Sequence, residues 1–221
     1  MAAFLLTLTF TACGDDDDDD DDSGASTYEE EADEDEEEGS INGHEYVDLG
    51  LSVKWATCNV GADHPEEYGD YYAWGETETK ESYGIDNCET FYEDIDDISG
   101  TDRDVAHVMW GGTWRMPTRD EINELDDNCR RSWTTLHGVE GAYFKKNDNS
   151  IFIPAAGRRS GTARYGVGES GYILSSTPYP ADGSQDAHTT HAFYLWFDDN
   201  GCASSWSKYR YVGMSVRPVS D

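Results

Sequence analysis

Five residues near the C-terminal end have the types and the closeness that recognition chemistry uses. They are Trp206, Lys208, Tyr209, Arg210 and Tyr211, within CASSWSKYRYV at 202–212. Tyr and Trp offer flat contact area with a polar tip, and a guanidinium can stack on a ring or pair with an acid. A second stretch, YPADGSQDAHTTH at 179–191, sets Tyr179 and Asp182 among small polar residues. Adaptable polar residues beside rigid aromatics are the composition of a binding loop. In an extended chain Trp206, Lys208 and Arg210 face one way, and Tyr209 and Tyr211 the other. One set then serves binding and the other stability. The plainer alternative is a solvated loop followed by an aromatic strand.

Catalytic chemistry has weaker signals. Glu76, after Gly75, and the other carboxylates could act in pairs on a glycosidic bond. Nothing in the spacing brings two of them together, and a lone acid in so acidic a chain is ordinary surface. The six His have no nucleophile at a recognisable spacing. Cys58, Cys88, Cys129 and Cys202 form no CxxC pair and have no His at zinc spacing, so no metal site is expected. Oxidised, those four could pair in three ways, and spacing does not choose among them. Asp198, Asp199 and Asn200 look superficially like calcium ligands, but before Gly201 they are ordinary turn residues. No catalytic residue, metal or cofactor is expected.

The N-terminus is of another kind. Residues 2–12, AAFLLTLTFTA, carry no charge and are too short to span a bilayer, which takes about 20 residues. They read as the apolar core of an export signal. Ala12-Cys13 resembles the end of a bacterial lipoprotein signal, in which the cysteine is lipidated. Phe10 stands where that signal usually has Leu, and no Lys or Arg precedes the apolar core. Eight aspartates follow at 15–22, and a second acidic run spans 29–38. Such runs extend themselves and cannot form a core, so 14–40 reads as a disordered spacer holding 41–221 off a membrane. Of the 47 acids, 17 lie in the first 40 residues, leaving 30 acids against 15 bases, a formal charge of −15, in the rest. Both parts repel phosphate, which argues against a nucleic-acid partner.

The elements that must position the C-terminal residues are short. Leu51, Val53 and Trp55 alternate as a strand with one buried face. Pro65 and Gly69 bracket a helical turn, and 76–104 reads as a long loop with a short helix near 102–108. Thr118 and Glu121 form a capping box ahead of Ile122, Leu125 and Cys129 on one helical face. Strands are expected at 142–145, 150–154, 171–175, 192–197 and 212–216, with a turn at 199–201. The class is α+β, with short antiparallel strands, one clear helix and long loops.

Six motifs occur in order: EYVDLGLSVKWATCNVGA, YGDYYAWGET, GGTWRMPT, SIFIPAAGRR, SSTPY and GMSVRPV. Together they resemble the Fibrobacter succinogenes major paralogous domain family, abundant on surface proteins of gut Bacteroidetes, over residues 45–219. Leu174 stands where the family usually has Trp. The resemblance implies a C-type-lectin-like fold, shared with formylglycine-generating enzymes, with its terminal strands paired. Leu51 to Trp55 would then lie against 212–216. Those enzymes use two late cysteines, and here only Cys202 falls in that region. Some proteins of the fold are diversified by retroelements just before a motif like GMSVRP, where Trp206, Lys208, Tyr209 and Tyr211 lie. The acids after Cys13 resemble the surface-export signal of Bacteroidetes lipoproteins.

The resulting expectation is a lipid-anchored, outer-membrane, cell-surface module that binds a host, glycan or protein ligand without catalysis, touching the membrane through its anchor alone. The alternatives are an enzyme on the formylglycine-generating scaffold or a fimbrial subunit, although no segment resembles a donor strand. A fatty-acid probe should label the wild-type protein and not Cys13→Ala; equal labelling of both removes the anchor.

Overall fold

The computed structural model describes residues 39–180 and 185–221. The expected signal, Cys13, Asp182 and nearly all of the acidic spacer lie outside them. Three short strands come first, β1 (Ser40–Ile41), β2 (His44–Val47) and β3 (Lys54–Ala56). A long loop with one 3-10 turn at Ile85–Asn87 leads to helices α1 (Val105–Trp110) and α2 (Arg119–Asn128). Strands β4 (Arg130–Leu136), β5 (Val139–Lys146) and β6 (Asn149–Pro154) form a meander, and β7 (Arg158–Ser160) and β8 (Ala163–Tyr165) a hairpin. Then come β9 (Ser170–Pro178), α3 (Gln185–Thr190), β10 (His191–Asp198), β11 (Cys202–Tyr209) and β12 (Val219–Ser220). The class is α+β, dominated by antiparallel sheets ordered β1-β2-β3-β12, β4-β5-β6, β11-β10-β9 and β7-β8.

The helix α2 forms as its sequence dictates. Thr118 Oγ1 accepts from the Glu121 N–H at 3.3 Å, and Glu121 Oε2 accepts from the Thr118 N–H at 2.8 Å. Ile122 and Leu125 are fully buried. Arg115 grips Glu121 through both terminal nitrogens, at 2.9 and 2.6 Å. Burial pushes the Glu121 carboxyl up, but the Arg115 and Thr118 bonds outweigh it and hold it below its ordinary value. The short helix expected near 102–108 appears as α1. Its cap, Asp104, is buried and accepts four main-chain N–H groups, from Gly100, Ala106, His107 and Met116, at 2.7 to 3.2 Å.

Four expectations shift. Ser40, placed in the spacer, already pairs with Glu45 in the first sheet. Segment 212–216 is not a strand. Val212, Met214 and Val216 are buried as the alternation predicts, but the backbone bridges three different partners at Gly213, Met214 and Ser215. The terminal pairing is formed instead by β12, with Val219 opposite Trp55 and Ser220 opposite Lys54. Around Pro65 there are turns and bends without a helix, because the Glu67 carboxylate takes up the Asp63 and His64 N–H groups. Strand β4, with its two leading arginines, was not expected. Its turn into β5 uses His137 and Gly138 at φ +48° and +87°, the left-handed pair of a tight hairpin.

The sheet β9-β10-β11 lies between two cores. Leu195 and Phe197 pack with Trp55, Ile122, Leu125 and Phe144, whereas Ala192 and Tyr194 pack with Trp74, Trp114 and Met214. This explains why AFYLWF runs apolar without a break. Arg217 is fully buried and donates to Asn59 Oδ1 at 2.8 Å, the Ala56 carbonyl at 3.0 Å and the Phe152 carbonyl at 3.1 Å.

The two caps should differ in weight. Thr118→Ala should cost about 1 kcal/mol, the usual worth of an N-cap. Asp104→Ala strands several buried N–H groups and should cost about 3 kcal/mol. Denaturant midpoints report both, and equal small losses would remove the special role of Asp104.

Candidate binding site

Strand β11 begins at a tight turn. Asp198 Oδ1 accepts from the Asn200 and Gly201 N–H groups at 2.7 and 2.8 Å, so this acid is engaged in the turn. The register then sets Trp206 opposite Tyr194, Lys208 opposite Ala192 and Tyr209 opposite His191. Alternation divides the candidate residues as the sequence implies. Tyr209 and Tyr211 point to one side, into an open groove of about 580 Å³ at the end of the sheet.

Three separate segments wall this groove. Ile85, Phe91 and Tyr92 come from the long loop, His191 from the α3–β10 junction, and Tyr209 and Tyr211 from the end of β11 and the turn after it. The rings contact one another. Tyr209 stacks with Tyr211 at 5.2 Å and lies 4.3 Å from His191, while Phe91 lies 5.5 Å from Tyr211 and 4.6 Å from Tyr92. Tyr209 is 45 % exposed and Tyr92 66 %. Tyr92 has φ +73°, rare for a side-chain-bearing residue, and its N–H is tied to the Thr189 carbonyl at 2.9 Å. Such strain gathers at functional sites. Burial, then the Arg210 and Lys208 charges, hold the His191 imidazole below its ordinary pKa, which favours a neutral ring at the wall.

Arg210 corrects one expectation. It is 1 % exposed and cannot meet a ligand. Its guanidinium lies 4.0 Å over Trp74 and donates to the carbonyls of Thr90 at 3.0 Å, Glu93 at 2.9 Å and His188 at 2.7 Å. Burial lowers its pKa to about 10, so it stays charged at neutral pH. Arg210 is therefore a positioning residue: one cation ties the loop, the end of α3 and β11 into one groove. Trp206 and Lys208 lie on the opposite side, where Trp206 stacks on Trp196 at 4.9 Å. Tyr179 packs on Phe193 at 5.4 Å, and its carbonyl meets His188 Nδ1 at 2.6 Å. It thus braces the last turn of α3.

Phe91 and Tyr92 escaped the sequence reading, because ETFYEDI sits in an acidic loop. The adjacent aromatic pair there was the available signal. The thiols are poorly suited to nucleophilic chemistry. Cys58, Cys88, Cys129 and Cys202 are all unpaired, and burial pushes each thiol pKa up, which keeps it protonated. Glu76 is taken up by Lys80 and by the Glu89 N–H.

Arg210→Lys keeps a charge but loses the fork that reaches three carbonyls. It should lower stability by about 3 kcal/mol and speed amide exchange in 88–94 and 187–190. Unchanged exchange there would show that the groove walls are held by something else. The chain matches no protein-family model, no curated protein and no solved structure.

Proposed function

We propose that residues 41–221 form a non-catalytic recognition module, anchored through Cys13 at the cell surface, that binds a glycan or protein ligand in the aromatic groove. The observation that carries this is the meeting of Phe91, Tyr92, His191, Tyr209 and Tyr211 around one open groove. Two of its tyrosines are largely exposed although ample core is available. Exposed, pre-set aromatic rings cost little entropy to immobilise, and they recur as the energetic centres of interfaces. The apolar run ending at Cys13 and the acids behind it support the anchor and spacer. The six ordered motifs support membership of the major paralogous domain family. The pairing of β3 with β12 supports a C-type-lectin-like arrangement.

A screen of the full chain against glycan arrays and surface-protein libraries supplies a ligand. Tyr209→Ala should then weaken binding about 30-fold, equivalent to about 2 kcal/mol, with the unfolding midpoint nearly unchanged. Equal binding by wild type and Tyr209→Ala would move the site away from the groove.

A further inference from the structure

The groove sorts its partners by charge. Three of the eight large apolar or aromatic side chains exposed among the described residues, Ile85, Tyr92 and Tyr209, meet there. No carboxylate, lysine or arginine is among the residues that line it. Among the described residues no Lys or Arg lies over Phe91, Tyr92, Tyr209 or Tyr211, so no cation of the chain covers those ring faces.

The loop that forms one wall is acidic throughout. From Ile85 onward it carries Asp86, Glu89, Glu93, Asp94, Asp96 and Asp97, all exposed, and no Lys or Arg. Asp94 Oδ1 stands 3.0 Å from His188 Nε2, which sets that carboxylate against α3, one residue from Ala187 of the groove wall. Glu89 and Glu93 flank Phe91 and Tyr92, and neither carboxylate pairs with a base among the described residues. Their main chain is pinned. The Glu89 N–H donates to Glu76 Oε1 at 2.8 Å, and Arg210 donates to the Glu93 carbonyl at 2.9 Å. Unpaired acids are common in this chain, with 30 acids against 15 bases after residue 40. What is particular here is that they border open ring faces, on a wall that holds no base.

We infer that the groove takes an arginine side chain from a basic segment of a partner protein. This rests on the groove being the recognition site proposed above, and adds the chemistry of its partner. A guanidinium is flat and weakly hydrated; it stacks on an aromatic face and turns its N–H donors, in the same plane, to a carboxylate. The molecule uses the stacking itself, with Arg210 4.0 Å over Trp74 and Arg119 4.1 Å over Phe193. A neutral sugar would stack on Tyr209 and draw nothing from the charge of the acidic wall. An anionic ligand would be repelled by that wall and by the field of the whole domain.

A capped peptide, GRGRG, and its citrulline counterpart, which keeps the shape and loses the charge, test this by calorimetric titration into the full chain. The arginine peptide should bind about tenfold tighter or more. Tyr209→Ala should weaken it about tenfold, and the double variant Glu89→Gln with Glu93→Gln about fivefold, with unfolding midpoints nearly unchanged. Should Tyr209→Ala fail to fold, the double variant, both of whose sites are exposed, decides. All these variants keep the N-terminal aspartates, so a peptide held by that run alone would bind every one equally and overturn the proposal. No binding at millimolar peptide would overturn it too. Equal binding of the two peptides, lost in Tyr209→Ala, would overturn the arginine assignment and keep the groove. Cellotriose bound by the wild type and not by Tyr209→Ala, without arginine binding, would replace the basic partner with a neutral glycan in the same groove. Insensitivity of all three probes to Tyr209→Ala would remove both readings.

Discussion

The central sheet is covered on both sides, and that constraint shapes everything else. Once Leu195 and Phe197 are committed to one core and Ala192 and Tyr194 to the other, the middle of β10 is closed to a ligand, and its first residue, His191, reaches the groove. Only the edge strand β11 and the sheet's end remain. An exposed edge invites pairing with other chains. Here it carries Lys208 and a register shift between Tyr194 and Trp196, both of which disfavour such pairing. Among the described residues the exposed aromatic side chains are Trp206 and Tyr209 on that strand, Tyr92 on the loop packed beside it and Tyr165 on β8.

Burying two guanidiniums looks costly, since a cation removed from water loses several kcal/mol of solvation. The fold meets this cost with acceptor geometry rather than with counterions. Arg210 meets three carbonyls and the face of Trp74, and Arg217 meets carbonyls from two separate strands together with Asn59. Each joins segments far apart in sequence. Of the two, Arg210 reaches the loop at 88–94, which is also tied by the Tyr92 N–H to the Thr189 carbonyl and by the Phe91 ring to Tyr209 and Tyr211. The groove is thus an electrostatic construction framed by aromatic rings.

Local signals were the legible ones. The capping box at Thr118, the turn at 199–201 and the buried apolar strands depend on neighbours in sequence, and all appear in the structure. The alternation of 206–209 also appears, dividing Tyr209 from Trp206, and the strand ends there, with 210–211 in a turn. What could not be read was partnership across the chain. Segment 212–216 has strand-like alternation but meets three partners in turn, so no ladder grows. Arg210 looked like a surface anchor, because its type and neighbours gave no hint that three remote carbonyls would enclose it. Phe91 and Tyr92 reach the site through ties to remote residues: Arg210 to the Thr90 and Glu93 carbonyls, the Tyr92 N–H to Thr189 and the Thr90 hydroxyl to Trp74.

All three hydrogen-bond acceptors of Arg210 are main-chain oxygens. A carbonyl is present whatever residue bears it, so the tie is indifferent to side-chain identity along the walls it secures. Residues at 91, 92 and 209 can be exchanged without touching the bonds that fix their backbone. Inheritance can therefore change the chemistry of the rim while the frame persists. The freedom has a limit at 74 and 210, where a ring and a fork are irreplaceable. A lineage of such domains would differ at the rim and agree at those two positions.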